Sequence, residues 1–269
     1  MLLIKNDSIR FLNRFITGNW FYRFYERNLE SQINGEPLPR HVAIILDGNR
    51  RWAKNHLLVT KGHEFGADRA EELLTWIQQI GIKITTLFVL SSDNLDRDKN
   101  EIDNIYSLLE SKLNSLYRDS RIHQHRMKIK AIGDINTLPS SLKEILFKLE
   151  LETRDYESMF LNIAIAYGGQ QELIEAIKKI AHNVKTKNVD ISDIDEKLVE
   201  SYLYTSHLPQ SEPDLILRTS GEQRLSGFLL WQSAYSELVF MDVFWPEFRK
   251  IDLMRAIRTY QRRQRRYGK

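Results

Sequence analysis

Short apolar segments alternate with longer amphipathic ones along most of this chain. Runs rich in β-branched and aliphatic residues predict strands at residues 40–46, 83–90, 127–132, 160–166, 214–218 and 237–241. Apolar residues spaced three and four apart predict helices near residues 64–79, 101–118, 139–151, 170–184 and 195–203. Strands separated by helices indicate βαβ units. We therefore predict a single α/β domain with a central, mostly parallel, six-stranded sheet flanked by helices.

Polar residues gather directly after several of these predicted strands. In a parallel sheet the carboxyl ends of the strands meet at one edge, where such folds bind their ligands. The residues that follow the first, second, fourth and fifth strands are Asp47, Gly48 and Asn49; Ser91, Ser92, Asp93 and Asn94; Tyr167, Gly168 and Gly169; and Arg218, Thr219, Ser220 and Gly221. We therefore expect a functional site at this edge.

The segment after the first strand has the composition of an anion site beside a metal-binding carboxylate. Asp47 and Gly48 end the strand, and Arg50 and Arg51 add positive charge. Unpaired backbone N–H groups at the start of a helix can hold a diphosphate. Asp47 is well placed for Mg²⁺, which usually binds one or two carboxylates plus substrate phosphates. An Asp-Gly pair is also a common hairpin turn, but the residues that follow do not alternate like a second strand.

A second candidate phosphate site follows the fifth strand. Arg218, Arg224 and Ser226 flank a Gly-containing turn, and arginine forms strong charge-assisted hydrogen bonds with phosphates. The alternative is an ordinary solvated loop. Glu237 opens the sixth strand, where a buried carboxylate would need a partner or a metal and an exposed one would need neither.

Composition narrows the class of protein. The chain has 269 residues, 42% of them hydrophobic and 28% charged, which is ample material for a core. It has no cysteine, which excludes disulfides and thiolate chemistry and agrees with a reducing compartment. We see no apolar run of about 18 residues and no signal peptide. We therefore expect a cytoplasmic protein, with contact at a membrane surface left open.

Charge and aromatic residues are concentrated at the two ends. The net charge is +3, yet residues 249–269 contain nine Lys or Arg and a single acidic residue, Asp252. This block is interpreted as a solvated helix face, a nucleic-acid arm or a phosphate clamp that reaches another subunit. Residues 9–29 mix aromatic side chains with arginines, which is typical of an interfacial amphipathic helix. Packing on its own domain or on a partner is the alternative.

Taken in order, several segments resemble the signatures of the cis-prenyltransferases, the undecaprenyl diphosphate synthase family, and most closely its archaeal-type members. The segments are His41 to Ala53, Gly62 to His63, Ser91 to Arg97, Ile132 to Asp134, Leu161 to Gly169, Pro213 to Glu237 and Asp242 to Pro246. The resemblance spans roughly residues 38–268. It divides the chain into an amino-terminal amphipathic segment, residues 1–36, and a catalytic domain, residues 37–269.

This resemblance implies an activity and an assembly. The reaction is repeated condensation of isopentenyl diphosphate onto an allylic diphosphate, with a new cis double bond at each step. The product is a long-chain polyprenyl diphosphate such as undecaprenyl diphosphate, a precursor of a glycosyl carrier lipid. The resemblance further implies a Mg²⁺-dependent homodimer with a hydrophobic tunnel for the growing chain. Farnesyl and geranylgeranyl diphosphate both stay open as the starter, as does the product length.

The resemblance also implies roles for individual residues. Asp47 is expected to be catalytic and to bind Mg²⁺, with Glu237 as a second metal-associated carboxylate. Asn94 is the other expected catalytic residue, acting with Arg97 on the homoallylic substrate. The residues expected to bind substrate are Gly48, Asn49, Arg50, Arg51, Trp52, Lys61, His63, Ser91, Ser92, Asp93, Arg97, Arg218, Arg224, Ser226, Arg266 and Gly268. The last two belong to a terminal Arg-x-Gly motif that, in this family, reaches the neighbouring subunit's isopentenyl site.

The chain departs from bacterial members at a few positions. Lys61 stands near a position where they carry arginine, and Leu95 and Gln223 replace an aromatic residue and a histidine. Arg50 and Ala166 also point to archaeal or eukaryotic relatives.

Two other classes of function are alternatives to the enzyme. A nucleic-acid-binding protein would use the basic terminus, and a non-catalytic, membrane-associated partner subunit would have no use for the full set from Asp47 to Arg51.

Overall fold

The computed structural model describes residues 24–57 and 61–263. These residues form two compact units, one from Pro39 to Phe248 and the other made of the residues up to Leu38 and from Arg249 onward. Most of the predicted amino-terminal amphipathic helix lies outside the described residues, as do Arg266 and Gly268. The functional division into residues 1–36 and 37–269 stays a prediction.

The larger unit is built around a six-stranded sheet in which every pairing is parallel. The order across the sheet is β3-β4-β2-β1-β5-β6. The strands are β1 (His41–Ile45), β2 (Ile84–Ser91), β3 (Met127–Ile132), β4 (Met159–Tyr167), β5 (Leu215–Arg218) and β6 (Glu237–Phe240). The predicted α/β class and all six predicted strands are confirmed.

Helices lie between most of the strands. Within the described residues they are α1 (24–33), α2 (Asn49–Asn55), α3 (Gly62–Ile80), α4 (Lys99–Tyr117), α5 (Ser120–Gln124), α6 (Ser140–Thr153), α7 (Gly169–Lys185), α8 (Glu196–Tyr202) and α9 (Lys250–Arg262). The five helices predicted from periodicity are α3, α4, α6, α7 and α8. None of these helices has both the length and the apolar character needed to cross a membrane.

The central strands are buried on both faces. All five residues of β1 are buried, as a strand inside a doubly covered parallel sheet requires. On one face, Phe88 and Tyr167 pack with Phe228 and Leu229 from the segment that follows β5. Phe88 and Phe228 stack with ring centroids 4.7 Å apart, and Tyr167 meets each of them edge-on. Aromatic pairs of this kind contribute about 1 kcal/mol each beyond their buried area, so the loop after β5 is firmly anchored.

The strand order creates a switch point between β1 and β5. From β1 the chain moves to β2 on one side, and it later returns to place β5 on the other side. Loops after two strands that diverge in this way leave a crevice at their carboxyl ends, which is the usual ligand site of open α/β sheets. This is the edge where the sequence places Asp47 and Arg218.

In the smaller unit, α1 and α9 are joined by polar contacts. The Lys250 ammonium lies 3.4 Å from Glu26 and 3.3 Å from Glu30. The Gln261 side-chain amide donates to the carbonyl of Ile33 at 2.9 Å. Arg255 lies over the ring of Tyr25 at 5.3 Å. Two basic residues of the block 249–269, Lys250 and Arg255, therefore contact residues of α1 in the same chain.

Candidate active site

The site begins where β1 and β5 end side by side. Ile45 pairs with Arg218 in the register of these strands, and Asp47 lies two residues further on. The Asp47 backbone N–H donates to Thr219 Oγ1 at 3.0 Å, and the Thr219 hydroxyl donates to the Asp47 carbonyl at 2.7 Å. This reciprocal pair of hydrogen bonds fixes the turn after β1 against the turn after β5.

Two arginines converge on the Asp47 carboxylate. Arg218 Nη2 lies 2.8 Å from Asp47 Oδ2, and Arg51 Nη2 lies 3.2 Å from the same oxygen. The Arg218 side chain is only 6% exposed whereas that of Asp47 is 26% exposed. The carboxylate therefore reaches solvent at the edge of the sheet while its main cationic partner is held below it.

These contacts keep Asp47 ionised. Burial by itself would raise the pKa of Asp47. Hydrogen bonds from Arg218 and Ser220 outweigh it, and the charges of Arg218 and Arg51 act in the same direction, so that the pKa lies below its ordinary value. A carboxylate that stays charged down to acidic pH is suited to binding a cation.

The segment after β5 brings the second predicted set together. Arg218 Nη1 donates to Ser226 Oγ at 2.9 Å and to the carbonyl of Arg224. Arg51 donates to Ser220 Oγ at 2.6 Å. Ser220 and Ser226 both adopt left-handed backbone conformations, with φ of 78° and 50°. Such conformations cost of order 1 kcal/mol each in non-glycine residues, and here they aim both hydroxyls at arginines.

A second group of cations surrounds Glu101 in the first turn of α4. Its Oε1 lies 3.2 Å from Arg97 Nη1, 3.4 Å from His63 Nε2 and 3.5 Å from Arg50 Nε. Burial lowers the pKa of His63, the charges of Arg97 and Arg50 lower it further, and Glu101 opposes them. One carboxylate therefore joins residues of the predicted allylic site, Arg50 and His63, to Arg97 from the loop after β2.

The loop after β2 is a 3₁₀ helix, Ser92–Asp96, that Ser91 caps. Ser91 Oγ accepts from the Asn94 backbone N–H at 3.2 Å and also from the Asn94 side-chain amide. Ser92 lies against Gly168, where an added Cβ would be 2.7 Å from Ser92 Oγ. Asp93 is exposed. Ser91, Ser92 and Asn94 are therefore held at the same edge of the sheet as Asp47.

Glycines allow α2 to sit close to its neighbours. Gly48 has φ of +110°, and a Cβ there would lie 2.7 Å from the ring of Phe244. At Gly62 a Cβ would lie 2.3 Å from the Asn49 carbonyl, and at Gly66 it would lie 2.2 Å from Asn49 Oδ1. The first turn of α2, with Asn49, Arg50 and Arg51, is thus positioned by backbone contacts that side chains would prevent.

Three predicted site residues are placed differently from the rest. Trp52 is buried, stacks on His56 at 4.5 Å and donates its indole N–H to Glu247, which gives it an anchoring position in α2. Lys61 is exposed immediately before α3. Glu237 pairs with Leu215 at the amino-terminal end of β5, which is roughly 10 Å along the strands from the Arg218 end. The structure therefore does not bring Glu237 to Asp47 within this chain, and its metal role stays a prediction.

Several residues of the site were not predicted from the sequence. Glu101 follows Asp98 by three positions, a spacing typical of a helix start, and Asp98 does cap α4 by accepting from the Asn100 and Glu101 N–H groups. Glu222 lies 2.9 Å from Arg51 and also contacts Arg224. Thr219 was predicted to lie at the carboxyl edge of the sheet, but its reciprocal hydrogen bonds with Asp47 were not predicted. Since acidic and hydroxyl residues are common in loops, only the fold shows that they face arginines.

The described residues offer a limited ligand set for a metal. They contain no cluster of three or more His, Asp or Glu side chains that could hold an ion by themselves. Asp47 is a partly exposed carboxylate at the end of β1, and Glu222 and Glu101 are the other partly exposed carboxylates among these arginines. This fits Mg²⁺, which commonly takes one protein carboxylate and completes its shell with phosphate oxygens and water.

A parallel sheet with an arginine-rich, carboxylate-bearing edge at its switch point defines an enzyme that acts on a phosphorylated substrate. Comparison with known proteins specifies the family. A family model for undecaprenyl diphosphate synthase matches residues 45–268. A geranylgeranyl-diphosphate-specific tritrans,polycis-undecaprenyl-diphosphate synthase from Methanocaldococcus jannaschii is 46% identical over 260 residues, which are 95% of this chain and 92% of that protein.

A protein of the same description from Methanopyrus kandleri is 47% identical over 249 residues, covering 92% of this chain and 91% of the relative. The crystal structure of lavandulyl diphosphate synthase from Lavandula x intermedia, in complex with dimethylallyl diphosphate, matches with a TM-score of 0.84 and 36% identity. It covers 86% of this chain and 99% of that one. This chain belongs to the undecaprenyl diphosphate synthase family and is a prenyltransferase.

Proposed function

We propose that this protein is a cis-polyprenyl diphosphate synthase that adds isopentenyl diphosphate repeatedly to geranylgeranyl diphosphate. The product would be a long-chain polyprenyl diphosphate of the undecaprenyl class, which serves as a glycosyl carrier lipid precursor. The choice of starter follows the archaeal relatives, whose names specify geranylgeranyl diphosphate. Farnesyl diphosphate is the alternative starter.

The observation that carries this proposal is the Arg218–Asp47–Arg51 arrangement at the switch point. Arg218 contacts Asp47 at 2.8 Å, and Arg51 contacts it at 3.2 Å. A condensation between two diphosphates needs cations for two polyanions and a carboxylate that can face a metal between them. The two groups of arginines, one around Asp47 and Glu222 and the other around Glu101, supply charge for two such ligands.

Each group of residues would then perform a distinct task. Arg50, Arg51 and His63, with the backbone at Gly48 and Asn49, would bind the allylic diphosphate and stabilise the charge that grows as it leaves. Arg218, Arg224 and Ser226 would bind isopentenyl diphosphate. The loop with Asn94 and Arg97 would close over both ligands, exclude water and position the homoallylic proton for removal.

Asp47 would hold Mg²⁺ at this edge of the sheet. When bound, the ion neutralises charge on the departing diphosphate. Arg218 and Ser220 keep the Asp47 carboxylate ionised and oriented, so that it is ready to bind the metal across a wide pH range.

We further propose a homodimer in which Arg266 and Gly268 reach the isopentenyl site of the neighbouring subunit. The amino-terminal segment would contact the membrane surface, where the product accumulates. The homodimer and its terminal motif rest on the family resemblance, whereas the membrane contact rests on the mixture of aromatic residues and arginines at residues 9–29. Light scattering at several concentrations measures the first, and flotation with anionic vesicles measures the second.

The test of the activity is incorporation of radiolabelled isopentenyl diphosphate in the presence of Mg²⁺. Geranylgeranyl and farnesyl diphosphate are supplied in separate reactions, and the lipid products are resolved by chain length. A ladder that ends at a defined long product with geranylgeranyl diphosphate is expected. No incorporation with either starter would contradict the proposed synthase activity and favour the alternative, a non-catalytic partner subunit.

The role of Asp47 has its own test. Asp47→Asn keeps the shape of the side chain but removes its charge, so turnover should fall about a hundredfold to a thousandfold while the fold is retained, which is the loss found when key electrostatic groups of other enzymes are removed. Asp155→Asn, at an exposed surface position, is the matched control and should be fully active. Normal turnover by Asp47→Asn would contradict the assignment.

A further inference from the structure

A cavity of about 510 Å³ lies at the end of the sheet opposite the active site. It is lined by residues at or just before the first residues of several strands. Its floor is apolar and includes Ile84 and Phe160, which pair with each other in neighbouring strands, together with Leu208 and Pro209. The active-site edge lies at the other end of the same strands, so the cavity is separate from the proposed substrate sites.

The rim of the cavity is positively charged. Arg40, Lys83 and Lys128 contribute three cations, and Glu157 contributes one carboxylate. Arg40 and Lys83 are exposed, and in the part of the chain that the structure describes none of the three cations forms an ion pair with a carboxylate. Unpaired cations around an apolar floor are complementary to an anionic head group attached to an apolar body.

His207 connects the cavity wall to a buried chain of hydrogen bonds. His207 Nε2 lies 2.9 Å from Asn162 Oδ1, and the Asn162 amide donates to Thr86 Oγ1 at 3.1 Å. Thr86 Oγ1 lies 2.9 Å from His41 Nε2. The chain runs from the cavity across β4 and β2 to β1. It therefore connects a residue of the cavity wall to the centre of the sheet.

This series of hydrogen bonds can be formed in two arrangements, and each satisfies the polar groups of His207 and Asn162. His207 Nε2 lies 2.9 Å from Asn162 Oδ1, and Nδ1 lies 3.1 Å from the Tyr204 carbonyl, so a charged ring can donate to both oxygens whereas a neutral ring can donate to only one. Rotating the Asn162 amide by half a turn would let it donate to a neutral His207. The two arrangements differ by one proton on His207 and by the direction of the Asn162 amide.

We propose that this cavity binds a phosphate-bearing organic molecule, with its phosphate held by Arg40, Lys83 and Lys128 and its apolar part on Phe160 and Leu208. His207 forms part of the wall and gains its second proton when the phosphate is bound. The proposal is independent of the prenyltransferase activity because it uses none of the residues of the active site.

The charges around His207 define how the cavity responds to pH. Burial lowers the pKa of His207 to about 4, and the charges of Lys130 and Lys128 on β3 act in the same direction. Glu157, in front of β4, is the one carboxylate of the lining. A bound phosphate brings at least one negative charge close to His207 and so reverses the local balance. Proton uptake by His207 therefore favours binding only near and below about pH 5, and it acts against the loss of the second phosphate charge, which occurs at about pH 6.

The experiment is a pH titration of the histidine side chains by long-range ¹H–¹⁵N NMR, with and without isopentyl phosphate. We expect the midpoint of the His207 titration to rise by about one pH unit in the presence of this probe, because an anion close to an imidazole favours its charged form. The Lys83→Ala/Lys128→Ala variant should lose this response and bind the probe about tenfold more weakly. An unchanged His207 midpoint in the wild-type protein would overturn the proposal.

Controls separate this cavity from the other anion sites. Lys143→Ala/Lys148→Ala removes a half-buried and an exposed lysine from α6, away from the cavity, and should leave binding and the His207 response unchanged. Glu157→Gln removes the carboxylate of the lining and should strengthen binding. A response that survives intact in Lys83→Ala/Lys128→Ala would place the probe elsewhere and contradict the assignment.

A second arm distinguishes an organic phosphate from the free ion. Inorganic phosphate has the same charge pattern but cannot use the floor formed by Ile84, Phe160 and Leu208. Isopentyl phosphate should therefore shift the His207 midpoint at a concentration at least tenfold lower. Equal potency of the two probes would show that the site recognises only the ion and would overturn the organic part of the proposal.

Discussion

Carboxylates occupy both arginine groups of the active site. Glu101 contacts Arg50 and Arg97, and Glu222 contacts Arg51 and Arg224. Cations placed close together repel one another, and an internal carboxylate holds them in position before a ligand arrives. In this protein a diphosphate would compete with these carboxylates for the arginines, which are therefore held in position before the ligand arrives.

The cluster around Glu101 gives a prediction for His63. Glu101→Gln removes the one group that raises the pKa of His63, whereas burial, Arg97 and Arg50 continue to lower it. The pKa of His63 should therefore fall further, and the ring should stay neutral throughout mildly acidic pH. The midpoint of the His63 titration, followed by NMR, measures this directly.

Asp103→Asn on the same helix is the control for that experiment. Asp103 is exposed and is not among the groups that shift His63, so the His63 midpoint should stay where it is in the wild-type protein. An upward movement of the midpoint in Glu101→Gln would show that Glu101 does not interact with His63 as the distance of 3.4 Å indicates.

At the scale of elements, the contact between α2 and α3 depends on two glycines, which have no side chain to keep the helices apart. Gly62 and Gly66 lie one turn apart on α3 and face Asn49 at the start of α2. A glycine inside a helix costs about 1 kcal/mol relative to alanine, so Gly66 is unfavourable for α3 itself, whereas Gly62 is the first residue of the helix. The close approach that they permit positions the arginines of the first turn of α2.

Gly66→Ala tests whether packing outweighs helix propensity. Alanine favours the helix by about 1 kcal/mol, but its Cβ would lie 2.2 Å from Asn49 Oδ1 and 3.0 Å from the Trp245 ring. Overpacking of this kind costs about 1–3 kcal/mol, so we expect a net loss of stability together with a loss of turnover. Denaturant unfolding and the incorporation assay measure the two effects.

Gly81→Ala provides the comparison. Gly81 ends α3 with φ of +92°, and a Cβ there meets nothing within 4 Å. It should cost about 1 kcal/mol through backbone strain alone and leave turnover intact. If Gly66→Ala is as active as Gly81→Ala, the α2–α3 contact does not position the site.

The sequence predicted the elements better than the contacts between them. Alternating short and long apolar segments were enough for six strands and five helices, because burial on both faces of a parallel sheet leaves continuous apolar runs. The glycines at 62 and 66 show the limit. The positions of these glycines within α3 do not indicate which element packs against them. That depends on the strand order, which hydrophobic periodicity does not determine.

The same limit applies to the active site. Asp47, Arg218 and Ser226 were predicted correctly to lie together because strand ends converge in any parallel sheet. Glu237 begins a strand, and the register of β5 and β6 puts it at the opposite end. A residue that opens a strand lies at the amino-terminal edge of any parallel sheet, so this position follows from the predicted fold, and only the family resemblance associates Glu237 with the metal.

For the molecule as a whole, buried histidines predict how stability depends on pH. Burial lowers the pKa of His41 to about 4, with Asp214 acting in the opposite direction, and His207 behaves in the same way. The unfolded chain takes up these protons near pH 6.5 and the folded protein only near pH 4. Stability should therefore fall as the pH drops from 6.5 toward 4, by on the order of 3 kcal/mol for a fully buried histidine.

Denaturant unfolding at a fixed protein concentration between pH 7.5 and pH 4.5 measures this slope. His207→Gln keeps a hydrogen-bonding side chain but takes up no proton, so it should lose part of the slope. A pH dependence identical to that of the wild-type protein would mean that acidic residues, rather than the buried histidines, control acid unfolding.

The central position of β1 has a consequence for the synthesis of the protein. Of the strands in the described residues, β1 is the first to leave the ribosome, and one of its edges can soon pair with β2. Its other edge cannot pair until β5 has been synthesised. The pairing starts near His41 and Asp214, which are 173 residues apart. At about 5–20 residues per second, this apolar edge stays open for roughly 10–35 s on every nascent chain. An open, mostly apolar strand edge is a template for aggregation, so a chaperone is expected to protect the nascent chain most during this interval.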